Sequence, residues 1–164
     1  MAQNQPSKAI AVIPSDTINI PVPGIITSGT NTGGATTLTD AGQDFTNATT
    51  NANGYNISGG DVVISAAGVI SEIASVDSAT QLTLLTAIAA GTYDIYKGNY
   101  QILGESEGFT LFVGTGGPAT VLRIQTLTGQ DVSLLNIPDS SFIPIQVQRV
   151  WATGTTCSDI IALQ

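Results

Sequence analysis

Apolar and polar residues alternate along most of this chain in short runs, which is the period of half-buried β-strands and not of helices. The first runs are Ile10, Val12 and Ile13, then Ile18, Ile20 and Val22, with Thr17, Asn19 and Pro21 on the opposite face. Pro21 and Pro23 cannot donate ladder hydrogen bonds, so this stretch reads as a sheet edge or an extended arm. The sequence SGTNTGG that follows Thr27 reads as turn and linker, and the next breaks of that kind are Gly91 and Gly98.

Residues 28–97 are therefore predicted to form an inserted module. Its strands are expected at residues 36–38, 61–65, 68–76, 81–85 and 92–96, with turns at Gly59, Gly60 and Gly68, the spacing of a small β-barrel. The outer domain is discontinuous, 1–27 with 98–164. It carries further strands near residues 100–103, 109–113, 119–126, 131–135, 142–152 and 158–162. Leu122, Ile124 and Thr126 oppose Val121, Arg123 and Gln125, while Ile143, Ile145, Val147 and Trp151 share a face interrupted by Arg149. The turns LTGQD, NIPDSS and ATGTT point to antiparallel hairpins or Greek-key links. The predicted fold is all-β: an antiparallel sandwich or jelly-roll-like domain with an inserted small β-barrel.

Composition supports a folded chain. Its 164 residues are 42% hydrophobic and 10% charged, too apolar and too sparsely charged for intrinsic disorder. A chain of this length buries roughly 70% of its unfolded surface on folding, so it needs no staples. No apolar run reaches the length of about 18 residues expected of a membrane span, and the first eight residues lack the build of a secretory signal, so neither membrane nor export is expected. The net charge is −8, and the cations Lys8, Lys97, Arg123 and Arg149 are scattered along the chain. Phosphate binding calls for clustered cations, so nucleic acid is not an expected partner.

Reactive groups are scarce. Without histidine there is no Ser-His-Asp or Cys-His arrangement, and with Cys157 as the lone cysteine neither an intrachain disulfide nor a zinc site is expected. Glu105 and Glu107 would share one strand face as glycosidase pairs do, but two solvated acids beside Gly108 are the plainer reading. Gly114, Gly116 and Ala119 match G-x-G-x-x-A after a strand. A phosphate cradle needs a helix N-terminus, however, and Pro118 leads into another strand. Asn47-Ala48-Thr49 and Asn56-Ile57-Ser58 fit the glycosylation pattern, which matters only on a secretory route. Asp40, Asp44 and Asp61 could offer oxygen ligands to Ca²⁺, although turn tightening explains them first. No cofactor is expected. Phe142, Pro144 and Trp151 are candidates for an interface anchor or, as the plainer reading, for the core.

Two stretches resemble known proteins. TTLTDAGQDF, GGDVVIS, SEIASVDSATQLTLLTAI and TYDIY resemble a small β-barrel module recurrent in virion proteins of tailed bacteriophages. AVIPSDTINIPVPG and FIPIQVQRVWATGTTCSDIIAL are similar to short head-associated structural proteins of tailed phages. The chain departs from that group in carrying the insert and in having Cys157 where a small residue such as Ala is expected.

The resemblance implies a non-enzymatic capsid decoration or cement protein on the exterior of the virion, assembled in the host cytoplasm. It would bind the major capsid protein as a homo-oligomer, with a trimer favoured and a dimer open. An acidic chain suits the outside of a shell better than a place against packaged DNA. The candidate interface residues are Ile10, Val12, Ile13, Ile18, Ile20, Phe142, Pro144 and Trp151. The alternative is a tail, baseplate or fibre component that touches host glycans, with Tyr55, Tyr93 or Tyr96 as the sugar-stacking aromatic. A hydrolase built on Glu105 and Glu107 is the third reading.

Overall fold

A computed structural model describes residues 6–46, 56–99 and 108–164, and among them every regular element is a β-strand. In chain order these are β1 (Ala9–Ala11), β2 (Val22–Asn31), β3 (Thr37–Thr39), β4 (Val62–Ser65), β5 (Ile70–Ser78), β6 (Gln81–Leu84), β7 (Gly91–Lys97), β8 (Phe109–Thr115), β9 (Val121–Thr126), β10 (Asp131–Leu135), β11 (Ser141–Val150) and β12 (Ser158–Leu163). The protein is all-β, with two antiparallel six-stranded sheets, ordered β1-β12-β8-β11-β9-β10 and β2-β7-β4-β5-β6-β3. The strand expected at 100–103 lies outside the described residues.

The chain divides into two compact units, Met1–Pro23 with Asn99–Gln164, and Gly24–Gly98. The inner unit starts at Gly24 because the stretch expected to be linker is strand: β2 runs on to Asn31. Its small polar residues look like loop in sequence, yet side chains from elsewhere in the unit bind them. The Asp40 carboxylate accepts the Thr30 N–H at 2.8 Å, and the Asn31 amide oxygen accepts the N–H groups of Gly33 (2.8 Å) and Thr39 (3.0 Å). Gly29 packs so closely on the Asp40 carboxylate and the Tyr93 phenol that any Cβ there would collide with both. Glycine therefore serves close packing here and not flexibility.

Every strand of the inner unit sends at least one side chain into a single core. Ile26 comes from β2, Leu38 from β3, Val63 from β4, Ile73 from β5, Leu82 and Leu84 from β6, and Tyr93 and Ile95 from β7. A flat sheet could not bring its two outermost strands to one cluster, so this sheet curls around it. At its ends, the Thr32 N–H just beyond β2 donates to the Thr39 carbonyl of β3 at 2.8 Å.

In the outer unit, β8 lies between β12 and β11 and buries Phe109, Leu111 and Val113 completely. Leu122 and Ile124 of β9 face the same way, as the alternation predicted. β11 is shared between two neighbours, pairing with β8 through its first half and with β9 through its second. Register shifts on either side of Val147 make this possible. Such a bulge inserts a residue and reverses which parity points inward. Val147 and Gln148 are consecutively buried, and beyond them Val150 is the inward residue. The shared face expected for Ile143, Ile145, Val147 and Trp151 is thus corrected: Trp151 falls on the other side of the bulge.

The N-terminal segment adds β1 to the edge of this sheet beside β12. The regular strand expected over Ile18, Ile20 and Val22 does not form. Ile18 and Ile20 are buried, but the chain is an extended arm held at separate points. The Ser15 N–H donates to the Val150 carbonyl at 2.9 Å, and the Ile20 N–H to the Gln148 carbonyl at 2.9 Å. Ser15 Oγ accepts the Ile18 N–H at 3.0 Å, and Pro21 and Pro23 have no N–H to offer a ladder.

Candidate functional site

The outward face of β11, β8, β12 and β1 carries an apolar row. Register places Phe142 opposite Phe112, Phe112 opposite Ile161, and Ile161 opposite Ala11. These residues point outward because their strand neighbours Leu111, Val113, Ile160 and Ala162 fill the core. Phe142 remains 52% exposed and Ile161 36%. Alongside, Leu163 pairs with Thr110 and with Ala9, and Pro144 is exposed. None of these side chains is charged, although the chain as a whole carries −8. Asp159, facing the same way two residues before Ile161 on β12, flanks the row and accepts a hydrogen bond from the Thr115 hydroxyl.

The residues proposed for an interface from sequence separate into three groups. Ile10, Ile18 and Ile20 are buried within the chain and support the fold, so they are not surface that a partner could reach. Val12 and Ile13 are half-buried. Phe142 and Pro144 are exposed, which overturns the core reading for both. Phe112, Ile161 and Leu163 were missed. Their signal was present: in FTLFV and SDIIAL apolar residues occupy both parities, which a sheet with one solvated face does not require.

Trp151 is half-buried and has partners on all sides. The Arg123 guanidinium lies 4.8 Å from the centre of its ring and that of Arg149 5.0 Å. Its indole N–H donates to Asp131 at 3.1 Å, and Asp131 also pairs with Arg123 at 3.4 Å. Arg149 Nε donates to the Asn19 side-chain oxygen at 2.8 Å. The cluster pins the arm to the sheet, and half of the cations found scattered in sequence meet in it.

The other candidates resolve into structure. Gly116 is needed because the backbone of Ile137 and Pro138 passes where its Cβ would sit, and its N–H donates to Asp139 at 2.7 Å. No helix follows the glycines, so the phosphate-cradle pattern has no physical basis. Asp40 accepts hydrogen bonds from Thr30, Gly42 and Tyr93. Asp61, fully buried, accepts from Ser58 and Gly98 and pairs with Lys97 at 3.0 Å. Asp44 accepts from Thr46. Among the described residues no three acidic or thiol side chains come together as a metal site would require.

Cys157 is buried, and that burial raises its thiol pKa, the opposite of what a nucleophile needs. Tyr93 is buried and cannot stack on a sugar, while Tyr96 is half-buried. Ile57 of the second glycosylation pattern is a core residue. Glu105, Glu107, Tyr55 and Asn47-Ala48-Thr49 lie outside the described residues. No family model, curated protein or solved structure matches the chain.

Proposed function

We propose that this chain is a virion structural protein, a decoration or cement protein that binds the major capsid protein on the outside of a tailed-phage head and stabilises the shell. The observation that carries the reading is the uncharged row Phe142, Phe112 and Ile161, open to solvent on an acidic protein. Apolar surface of that kind on a sheet face marks an interaction site, and aromatic residues concentrate at the centres of such sites. The acidic remainder keeps the free chain soluble and leaves the uncharged apolar face as the surface turned toward the shell. The protein works by binding, without turnover or cofactor, and an oligomer on the lattice multiplies individually weak contacts. The inner unit is read as the small β-barrel module that its sequence resembles.

The tail or fibre alternative has less support, because Tyr93 is unavailable for glycan stacking. The test is co-sedimentation of the purified chain with expanded heads assembled from the major capsid protein of the same genome and prepared without this chain. Wild type should bind and raise the melting temperature of the heads. Phe142→Asp should weaken binding at least tenfold while leaving the chain folded. Heads that neither bind the wild-type chain nor gain stability from it would refute the proposal.

A further inference from the structure

Each sheet has two outer strands, and they are not equally protected. β1 is three residues long and directly preceded by Lys8, and β3 is also three residues long. β2 carries Pro23 and two glycines. Short length, proline and lysine are the usual means by which sheet edges avoid pairing with other chains. β10 has none of them. Its five residues, DVSLL, pair with β9 in unbroken register from Asp131 opposite Gln125 to Leu135 opposite Val121. Among the described residues no strand follows β10 in the order, and Leu135 is 65% exposed.

The backbone of β10 faces the open side at alternate residues. The Thr126 N–H donates to Gln130, so the hydrogen-bonded pairs with β9 fall on the even-numbered residues of β10. On β9, Arg123 and Val121 turn their backbone the other way, accepting from Trp151 and Thr156. The peptide groups of Asp131, Ser133 and Leu135 therefore point outward from the edge.

We infer that β10 is a self-association edge: two copies pair β10 to β10, antiparallel about Ser133, to give a two-fold dimer with one sheet continuous across it. The strand is self-complementary in that register. Ser133 meets its own counterpart and Asp131 meets Leu135, so no like charges are opposed. Val132 and Leu134, half-buried at the end of the core row, face Leu134 and Val132 of the second copy and become covered. Asp131, already engaged by Trp151 and Arg123, keeps its charge away from the new ladder. The pairing selects the dimer from the two states left open by the sequence. It also uses a different surface from the apolar row, so it stands or falls independently of shell binding.

The test is the solution mass of the full chain by light scattering after size exclusion, without capsids. Wild type should give twice the chain mass at tens of micromolar. Ser133→Pro removes a donor that β9 does not use, and should halve the mass with an unchanged circular dichroism spectrum. Leu135→Glu, at an exposed site where misfolding is not at issue, sets a carboxylate opposite Asp131 of the second copy and should do the same. A monomeric wild type, a trimeric one, or a Leu135→Glu variant that keeps the wild-type mass would each overturn the inference.

Discussion

The phenol of Tyr93 donates a hydrogen bond to the carboxylate of Asp40 at 2.9 Å inside the inner unit, joining residues far apart in sequence. Burial first, and then the hydrogen bond to Asp40, raise the Tyr93 pKa well above its usual value of 10.0. A raised folded-state pKa contributes stability that is intact below the unfolded value and lost as pH climbs beyond it. Urea midpoints of the wild type should therefore hold to about pH 10 and fall above it. Tyr93→Phe should cost about 1–3 kcal/mol at neutral pH. The gap to wild type should narrow at pH 11, and parallel decline of the two proteins would contradict this.

Lys97 and Asp61 form an ion pair whose acidic partner is completely buried. Removing only the cation leaves a carboxylate in the interior with the N–H groups of Ser58 (2.9 Å) and Gly98 (3.1 Å) to support it. Breaking a buried pair from one side typically costs about 3–5 kcal/mol, and these donors should hold Lys97→Met near the lower end. The double variant Asp61→Asn with Lys97→Met should be more stable than Lys97→Met alone. Chemical denaturation of the three proteins checks both statements.

A methyl group at Gly116 would overlap the carbonyl of Ile137, which is backbone and cannot swing aside. Gly116→Ala should lose about 1–3 kcal/mol, the usual cost of overpacking. Gly34→Ala meets open space and should change stability by less than about 0.5 kcal/mol. Thermal melts of the two variants check that the cost at Gly116 comes from packing against the Ile137 backbone.

How much of this was legible follows from what a period of two can report. β9, β10 and β6 were found because the side chains of each alternate between a more covered and a more exposed face, the extra residues of the bulged ladders lying in their partners β5 and β11. Ile18 and Ile20 alternate just as cleanly and are buried, but alternation reports which side chains are covered and not whether the backbone pairs. The Thr27–Asn31 portion of β2 was hidden because its stabilising partners, Asp40 and Tyr93, lie elsewhere in the chain. The bulge in β11 leaves no mark in composition, so the turn of Trp151 away from the Val147 face could not be foreseen. The apolar row was half visible. Phe142 was singled out, but its alignment with Phe112 and Ile161 depends on strand order, which pattern alone does not specify.

Trp151 is the single tryptophan, so its fluorescence reports directly on the stack with Arg123 and Arg149. Each cation–π contact at a partly exposed site contributes about 0.5–1 kcal/mol, and the indole hydrogen bond to Asp131 adds about 1 kcal/mol. Trp151→Ala should destabilise the outer unit by about 2–3 kcal/mol, summing those contributions. Hydrogen exchange at Ser15 and Ile20, the amides that tie the arm to β11, should accelerate. Arg149→Met should shift the emission maximum to the red while leaving the inner-unit amides unaffected.

Asp16 provides the arm's second fastening. Its carboxylate accepts the Thr153 N–H at 2.8 Å and the Thr153 hydroxyl at 2.7 Å, and these bonds, the backbone one first, hold its pKa below 3.8. For a carboxylate lowered in the folded state, the stabilising contribution is present above the unfolded value and disappears as pH falls through the folded one. Between neutral pH and about pH 4 the Thr153 amide should stay protected, and below that range it should exchange progressively faster than solvent acidity alone predicts. Asp16→Asn keeps an oxygen acceptor but loses the charge, so its Thr153 protection should start lower and show no acid transition. If the wild-type amide followed the same flat profile as this variant, the charged fastening would play no part in holding the arm.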